Sequence, residues 1–377
     1  MDPRIAVLGY GIVSSLGNNT AENWENLIAG KVGIKELPEH IGVWVRSRKA
    51  FLADVSYSQD RLIRMAKIAA DEALGVAGNP KIDFICVGSS SASFAAVEQV
   101  ILVNQTADAS LLKPQILARR LSEHYGLRPH QAIQCSQACA SSSYAIAMGA
   151  DLIRKGYASV VLVGGVDEVT ASVVAGFESC RIHGSICRPF DKRRRGLVLG
   201  EAAAFLILSN DQFASENGLA ITAFVDGHGL TCDAYNMAAP DPSGNGIVRA
   251  IEGAVRAQDV KNIDFVCAHG TGTRQNDSVE ARALKKFFNN LVPPVASYKG
   301  SLGHPQGASG ACGTVLAVLA MRHNVMFPNV GLLEQDETID LDIVKVPRSK
   351  ELRQVLCLSY GSWGANAALL ISAAQSC

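Results

Sequence analysis

The chain has 377 residues, of which 48% are hydrophobic and 19% are charged, and its 35 Lys and Arg residues balance 35 Asp and Glu residues. A chain of this length can bury a large core. The absence of net charge argues against a general nucleic-acid-binding or membrane-surface protein. No apolar run is long enough to span a bilayer, and the first residues do not form a secretory signal peptide. We therefore expect a cytoplasmic protein without a membrane span.

The ten cysteines are scattered singly through apolar segments and do not form the spaced framework of a small disulfide-bonded domain. We expect them to be reduced thiols. Cys135 and Cys139 lie four residues apart, but no second Cys/His pair with zinc-like spacing accompanies them. The sequence therefore predicts no metal site.

Gly9 and Gly11, followed by Ser14, form only part of a dinucleotide-binding fingerprint, and no acidic ribose ligand stands out. A nucleotide cofactor is therefore not expected. Further along, residues 82–88 place an apolar run behind a leading Asp and end in Gly. This pattern predicts a short buried strand that ends in a glycine loop.

Residues 137–143 (Gln-Ala-Cys-Ala-Ser-Ser-Ser) set Cys139 among small residues just before an apolar stretch, residues 144–153, that predicts a helix. The first amides of a helix have no internal partners and carry the positive end of its dipole. A thiol there is expected to become a thiolate, the form that attacks carbonyl groups. The alternative is an ordinary buried core cysteine.

Two later segments each place a histidine among glycines and hydroxyl residues. His269 opens the run 269–277 (His-Gly-Thr-Gly-Thr-Arg-Gln-Asn-Asp), directly after the apolar residues 263–268, and His304 closes the run 297–304 (Ser-Tyr-Lys-Gly-Ser-Leu-Gly-His). A single histidine is commonly a structural residue, but loops at strand ends collect catalytic groups.

The order of predicted elements repeats along the chain. The strand at 82–88 is followed by the helix behind Cys139 and a strand at 160–165; the strand at 263–268 is followed by a helix at 313–322 and a strand at 355–359. Alternating buried strands and helices predict an α/β fold with mixed or parallel sheets flanked by helices. We place the seam between the two related halves in the interval from Asn210 to Thr222.

These motifs together resemble the β-ketoacyl-ACP synthases, the condensing enzymes of the thiolase superfamily. The Cys139, His269 and His304 segments match the family pattern, as do the segments listed here: 4–17, 187–191 (Cys-Arg-Pro-Phe-Asp), 200–203, 233–240 and 359–366. The resemblance implies a thiolase-like α/β fold of two pseudo-repeated halves in five αβαβα layers. We draw the halves as residues 1–212, which contain Cys139, and 213–377, which contain His269, Lys299 and His304.

The resemblance also implies roles for these residues. Cys139 would hold the acyl chain, with its own backbone N–H and that of Ser362 forming the oxyanion hole. His269 and His304 would stabilise the enolate left when a malonyl thioester loses carbon dioxide. Lys299 would pair with Glu280 and orient His304, although the two could be only a structural ion pair.

Substrates would arrive on the phosphopantetheine of an acyl carrier protein, with no bound cofactor. Thr271 and Thr273 would contact this arm, or they could only cap their loop. Phe177 could line the acyl pocket or belong to the core.

Several residues depart from the family pattern. Ser362 and Trp363 replace the usual aromatic gate and its neighbouring glycine, and the basic run 192–195 (Lys-Arg-Arg-Arg) replaces alternating charges. We interpret the basic run as a solvated loop, with docking of an acidic carrier protein as the alternative. These departures favour a specialised polyketide or polyene pathway as much as ordinary fatty-acid elongation.

Three alternatives to an active synthase share the fold: a non-elongating partner of the chain-length-factor kind, a degradative thiolase and a non-decarboxylating acyltransferase. Partner subunits usually lack the nucleophilic cysteine, and thiolases use a second cysteine as base; here Cys139 and both histidines are present. We expect a homodimer, or a heterodimer with a homologous ketosynthase-like subunit.

Overall fold

The protein, in a computed structural model, is described for residues 3–58, 60–102, 112–237 and 239–374. Its strands are β1 (Ile5–Ser14), β2 (Ile34–Glu36), β3 (Lys49–Phe51), β4 (Phe84–Gly88), β5 (Ala132–Cys135), β6 (Val160–Asp167), β7 (Ala202–Asn210), β8 (Ala223–Cys232), β9 (Phe265–Cys267), β10 (Val295–Ala296), β11 (Val325–Met326), β12 (Arg348–Ser349), β13 (Gln354–Tyr360) and β14 (Ala365–Ala373).

Its α-helices are α1 (Thr20–Ile28), α2 (Glu39–Gly42), α3 (Arg61–Val76), α4 (Phe94–Ile101), α5 (Ile116–His124), α6 (Ser141–Arg154), α7 (Ala171–Ser179), α8 (Asp211–Glu216), α9 (Asn245–Ala254), α10 (Arg274–Phe287), α11 (Lys299–Leu302) and α12 (Ser309–His323). The predicted helix behind Cys139 is α6, and the one predicted at 313–322 lies within α12.

The main sheet has ten strands in the order β10-β9-β13-β14-β8-β1-β7-β6-β4-β5. In one half, β4 pairs in parallel with β6, which pairs antiparallel with β7, and β7 pairs antiparallel with β1. The other half repeats this pattern with β9, β13, β14 and β8. The two halves join where β1 and β8 pair antiparallel over three residues. The predicted duplication is therefore visible in the strand order, while the division at residues 212 and 213 stays a prediction and falls within α8.

Helices cover both faces of this twisted sheet and also fill the space between its halves. α3 packs on β1 and β7, and α9 packs on β8 and β14. α6 and α12 contact each other and strands of both halves, and residues 309–321 of α12 are all buried. This is the predicted five-layer order of helices, sheet, helices, sheet and helices, with the two sheets continuous at β1 and β8.

Gly9 and Gly11 have a packing function in this arrangement. A Cβ atom at Gly9 would lie 2.1 Å from the carbonyl oxygen of Ala73, and one at Gly11 would lie 2.1 Å from that of Ala69. Both carbonyls belong to α3, whose buried face is rich in alanine. The two glycines therefore let the helix backbone approach the sheet closely, which accounts for a pattern that only partly resembled a nucleotide-binding motif.

Candidate active site

Cys139 lies in the turn between β5 and α6, two residues before the helix begins. The preceding residue, Ala138, has φ +47°, an uncommon conformation for a residue with a side chain. The closing loop after β13 packs directly on this turn: a Cβ atom at Gly361 would lie 2.8 Å from the carbonyl oxygen of Gln137 and 3.2 Å from the Cys139 nitrogen. Only glycine permits this approach, and it brings the next residue of the closing loop to the Cys139 sulfur.

Two backbone amides face the Cys139 sulfur, those of Cys139 itself and of Ser362, and their hydrogen bonds act to lower the pKa of the thiol. They are the two groups predicted for the oxyanion hole. Donors fixed at this position can stabilise negative charge that develops on a thioester carbonyl oxygen attached to the sulfur.

The thiol is nevertheless neutral at rest. Cys139 is 7% exposed, and burial raises its pKa to about 12, an effect that the Asp167 charge reinforces and the Lys299 charge opposes. The resting thiolate predicted from the helix terminus is therefore wrong for the substrate-free protein, because desolvation of the charged form outweighs the local donors.

This raised pKa has a measurable consequence. Well below a pKa of about 12 the thiolate fraction grows tenfold with each unit of pH. Alkylation of Cys139 by iodoacetamide should therefore accelerate on the order of a hundredfold between pH 7 and pH 9, measured by mass spectrometry of the Cys139 peptide. The exposed Cys180 provides an internal comparison. A Cys139 rate that levels off below pH 9 would contradict the neutral resting thiol.

His269 follows β9 and His304 follows α11, and the two rings meet edge to face with centroids 5.3 Å apart. They are 2% and 1% exposed. Burial and the nearby Lys299 charge hold the pKa of both imidazoles well below the usual value. Both rings are therefore neutral at physiological pH, and each carries a single N–H.

Hydrogen bonds fix which ring nitrogen carries that proton. Nδ1 of His304 accepts the backbone N–H of Gln306 at 3.0 Å. Nδ1 of His269 lies 3.3 Å from the Lys299 ammonium nitrogen, which can only donate when charged. Since both Nδ1 atoms accept, the proton of each ring lies on Nε2. The pair thus presents two N–H donors, as needed for an enolate oxygen.

Lys299 and Glu280 hold the His269 loop through separate contacts. The Glu280 carboxylate accepts the backbone N–H groups of His269 and Gly270, both at 2.8 Å, and the Lys299 ammonium donates to the His269 carbonyl oxygen. Their charges interact, but within the described residues the two side chains form no direct ion pair. The predicted pairing is corrected accordingly, and Lys299 contacts His269 rather than His304.

The two threonines predicted to contact phosphopantetheine follow His269 in the same loop. Thr271 and Thr273 have their hydroxyl oxygens 3.0 Å apart, and the Thr273 hydroxyl accepts the Asn276 N–H at the start of α10. Both residues also line the cavity that contains Cys139. Thr273 therefore caps a helix, and this does not prevent either threonine from facing a substrate.

Three of the candidate catalytic residues share one cavity of about 760 Å³. Cys139, His269 and His304 line it, and so do the predicted pocket and gate residues, which are Phe177, Ser362 and Trp363. Trp363 is 64% exposed and has φ +70°, and Ser362 is exposed as well, so both predicted gate residues lie where the cavity wall meets solvent.

Sequence analysis assigned no role to several cavity residues. Tyr360 lines the cavity with its ring 5.2 Å from that of His269, and burial together with the Glu280 charge raises the pKa of its hydroxyl well above the usual value. Three arginines also line the cavity: Arg181, Arg195 and Arg274. Tyr360 stood in a recognised motif, but only the fold shows that it faces His269.

The basic run at 192–195 is only partly the solvated loop that was predicted. Arg194 is 2% exposed and pairs with Asp336 at 2.6 Å and with Asp277 at 3.6 Å. Lys192, Arg193 and Arg195 are exposed, as expected, and Arg195 also lines the cavity that contains Cys139. The prediction is therefore wrong for Arg194, because two acids distant in sequence neutralise it in the interior.

Arg194→Met should destabilise the protein, since it leaves the buried Asp277 carboxylate without its cation. The expected loss is about 3 kcal/mol in the free energy of unfolding, measured by urea denaturation. Arg193→Met, at the exposed neighbouring position, should change it by less than about 0.5 kcal/mol. Equal effects of the two substitutions would show that the buried pairs contribute no special stability.

Other expected features concern metals, thiols and membranes. The nine cysteines within the described ranges are free thiols, and Cys377 lies outside them. Among the described residues no cluster of three or more His, Cys, Asp or Glu side chains is placed to hold a metal ion, and the absence of a metal stays a prediction. In the same part of the chain, no helix has the length and apolar character needed to cross a bilayer.

Models of known protein families match most of the chain. The family model for the N-terminal domain of β-ketoacyl synthases matches residues 2–214, and that for the C-terminal domain matches residues 222–333. The chain belongs to the β-ketoacyl synthase family, which confirms the family predicted from the sequence.

Individual relatives span nearly the whole chain. Nodulation protein E of Rhizobium sp. (strain N33) is 31% identical and covers 98% of this chain and 99% of its own length. The 3-oxoacyl-acyl-carrier-protein synthase 2 of Mycobacterium leprae (strain TN) is 31% identical, with coverages of 97% and 96%. The solved structure of the ishigamide ketosynthase/chain length factor superposes with a TM-score of 0.89 at 28% identity, covering 99% of this chain and all of that one. The predicted thiolase-like ketosynthase fold is confirmed.

Proposed function

We propose that the protein is an active β-ketoacyl-ACP synthase, which joins a Cys139-bound acyl chain to a malonyl unit with loss of carbon dioxide. The observation that carries the proposal is that one cavity holds a thiol facing two backbone amides and two neutral imidazoles with their Nε2–H groups free to donate. These are the groups that thioester exchange and enolate stabilisation require.

In the first half-reaction the Cys139 sulfur attacks the carbonyl carbon of an acyl thioester. A carbon–sulfur bond forms to Cys139, the bond to the phosphopantetheine sulfur breaks, and the thiol proton leaves with that departing sulfur. The backbone N–H groups of Cys139 and Ser362 stabilise the intermediate oxyanion. Because the resting thiol has a raised pKa, proton transfer accompanies the attack rather than preceding it.

In the second half-reaction a malonyl thioester replaces the departed carrier. Its carbon–carboxylate bond breaks to release carbon dioxide, and the electron pair forms an enolate whose oxygen accepts the two Nε2–H groups of His269 and His304. The enolate carbon then attacks the acyl carbonyl, the bond to the Cys139 sulfur breaks, and the thiolate regains a proton. Lys299 and Glu280 act as positioning residues because both hold the His269 loop.

We infer that an acyl carrier protein delivers both substrates on phosphopantetheine and that the reaction needs no bound cofactor. Three arginines line the cavity that contains Cys139: Arg181, Arg195 and Arg274. Their positive charge suits an anionic phosphate or an acidic carrier surface. Thr271 and Thr273 offer hydroxyls beside His269 for the amides of the arm. Phe177 and Leu197 give part of the cavity wall an apolar surface that suits an acyl chain, and the cytoplasm is the expected compartment.

The assembly is proposed to be a homodimer, or a heterodimer with a homologous ketosynthase-like subunit. A solved relative is described as a ketosynthase/chain length factor, which supports the second form. The retained Cys139 favours the active role over that of a non-elongating partner. A non-decarboxylating acyltransferase of this fold would acylate Cys139 but release no carbon dioxide.

The test is to incubate the purified protein with an acyl-ACP and malonyl-ACP, alone and together with any homologous subunit, while measuring carbon dioxide and product mass. Release of carbon dioxide with a β-ketoacyl product two carbons longer is expected. Acylation without carbon dioxide would identify a non-decarboxylating transferase. No acylation in any combination would instead identify an inactive partner.

A further inference from the structure

A second cavity, of about 250 Å³, is bordered by Thr170 at the N-terminus of α7, whereas Phe177 near the end of the same helix borders the cavity that contains Cys139. Its lining comes from α2, from the start of α3, from α4 and from the residues between β6 and α7. It shares no described lining residue with the cavity that contains Cys139. An inference about it therefore does not depend on the proposed function.

Glu168 is the unusual group in this cavity. The residue is 6% exposed, and its backbone oxygen accepts the side-chain N–H of Gln306, but among the described residues its carboxyl group makes no hydrogen bond or ion pair. Burial and the Glu201 charge raise its pKa to about 8. A buried carboxyl group without a partner is costly, and such groups ordinarily have one.

Gln99 adds a second unsatisfied acceptor to the same cavity. Its side-chain carbonyl oxygen is buried and has no hydrogen-bond partner in the described structure. The adjacent Glu98 is already occupied, since its carboxylate accepts the Ala171 and Ser172 N–H groups at the start of α7. Glu168 and Gln99 therefore remain available to a donor that enters from outside.

The cation in the wall does not supply that donor. Arg61 pairs with Glu201 at 2.7 Å and donates to the backbone oxygens of Val55 and Ala53. Its charge is thus neutralised inside the protein. Because Arg61 neutralises Glu201, the lining carboxyl groups of Glu98 and Glu168 have no Lys or Arg partner among the described residues, and a bound cation would favour the ionised form of Glu168.

Apolar and aromatic side chains form much of the remaining wall, together with His40, Ser58 and Thr170. Trp44 lines the cavity and is 52% exposed, and Tyr57, Ile41 and Leu102 line it as well. Aromatic faces attract organic cations and also cover an alkyl stem. A cavity of about 250 Å³ far exceeds the roughly 10–15 Å³ that a single water needs on the same measure, so a short alkyl chain can enter it.

We propose that this cavity binds a small aliphatic primary amine, whose ammonium group donates to the Glu168 carboxylate and to the side-chain oxygen of Gln99 while its alkyl chain lies against Trp44. A primary ammonium provides three N–H donors and the positive charge that the site lacks. A neutral alcohol of the same length provides one donor and no charge.

The test is isothermal titration calorimetry of the full-length protein with n-hexylammonium and with n-hexanol. Saturable binding of one hexylammonium is expected, with hexanol at least about tenfold weaker. Glu168→Gln, which keeps the shape of the side chain, should weaken hexylammonium binding at least about tenfold. Glu123→Gln, at an exposed carboxylate on α5, should bind like the unaltered protein.

Gln99→Leu provides an independent variant, because it removes the second acceptor without altering a charge. It should weaken hexylammonium binding several-fold and, should Glu168→Gln fail to fold by circular dichroism, it carries the test alone. Equal affinities for hexylammonium and hexanol would overturn the proposal. Undiminished hexylammonium binding in either folded variant would do the same.

Discussion

Cys139→Ala is expected to abolish β-ketoacyl synthesis, with a loss of at least about a thousandfold, while decarboxylation of malonyl-ACP continues. The substitution removes the atom that holds the acyl chain, but it leaves both histidine donors in place. Carbon dioxide release and product mass, measured in the same reaction, separate the two activities. Cys180→Ala, at an exposed cysteine that lines the same cavity without facing the two amides, is the matched control and should retain both.

Two outcomes would contradict this expectation. Condensation that persists in Cys139→Ala would mean that another group carries the acyl chain. Loss of condensation in Cys180→Ala to the same extent would show that removing either thiol disrupts the reaction. The loss in Cys139→Ala would then not identify the nucleophile.

His269→Ala and His304→Ala are expected to have a different effect: decarboxylation should fall, while acylation of Cys139 should be kept. Each removes one Nε2–H donor to the enolate oxygen, so decarboxylation and condensation should each fall by about 100- to 1,000-fold. Acylation of Cys139 should persist, because its oxyanion is stabilised by backbone amides that these substitutions leave intact. Carbon dioxide release and intact-protein mass after acyl-ACP treatment measure the two steps.

His323→Ala is the control for the histidine variants, since His323 is exposed at the end of α12, stacks on Trp24 and does not line the cavity that contains Cys139. It should retain both activities. Normal decarboxylation in either catalytic histidine variant would remove that residue from enolate stabilisation. Lost acylation in both would indicate that the imidazoles serve the first half-reaction instead.

Much of the fold could be predicted because buried elements carry a local signature. Strands β4, β6, β9 and β13 are apolar on both faces, so short uninterrupted apolar runs identified them. The sequence analysis assigned no element to residues 61–76, although they form α3. Its buried face combines Leu62, Ile63 and Met65 with four alanines at helical spacing, so the period of an amphipathic helix is present in the sequence and was missed.

The positions of Cys139, His269 and His304 could also be predicted, because each stands in a glycine- or serine-rich motif after a recognisable strand or before a helix. Their electrostatics could not. The helix terminus next to Cys139 is a local feature that the sequence shows. The burial that raises the pKa of the thiol, and the Asp167 charge that raises it further, come from the folded structure. Desolvation depends on tertiary contacts that sequence spacing does not contain.

Arg194 shows the same limit for charged residues. Within the run 192–195 it looks like its neighbours, but its partners, Asp277 and Asp336, lie far away in sequence. Lys299 likewise contacts the His269 backbone rather than the carboxylate of Glu280. The packing of distant segments decides which charged side chains become partners. A single sequence does not show which segments pack together.

The most direct test of the account is the intact mass of the protein after incubation with an acyl-ACP alone. If Cys139 is the nucleophile, the mass should increase by one acyl group. The added group should be located on the Cys139 peptide, be removed by hydroxylamine and be absent from Cys139→Ala. An unchanged mass, with or without a homologous subunit present, would contradict the assignment of Cys139 as the nucleophile and the proposed synthase activity with it.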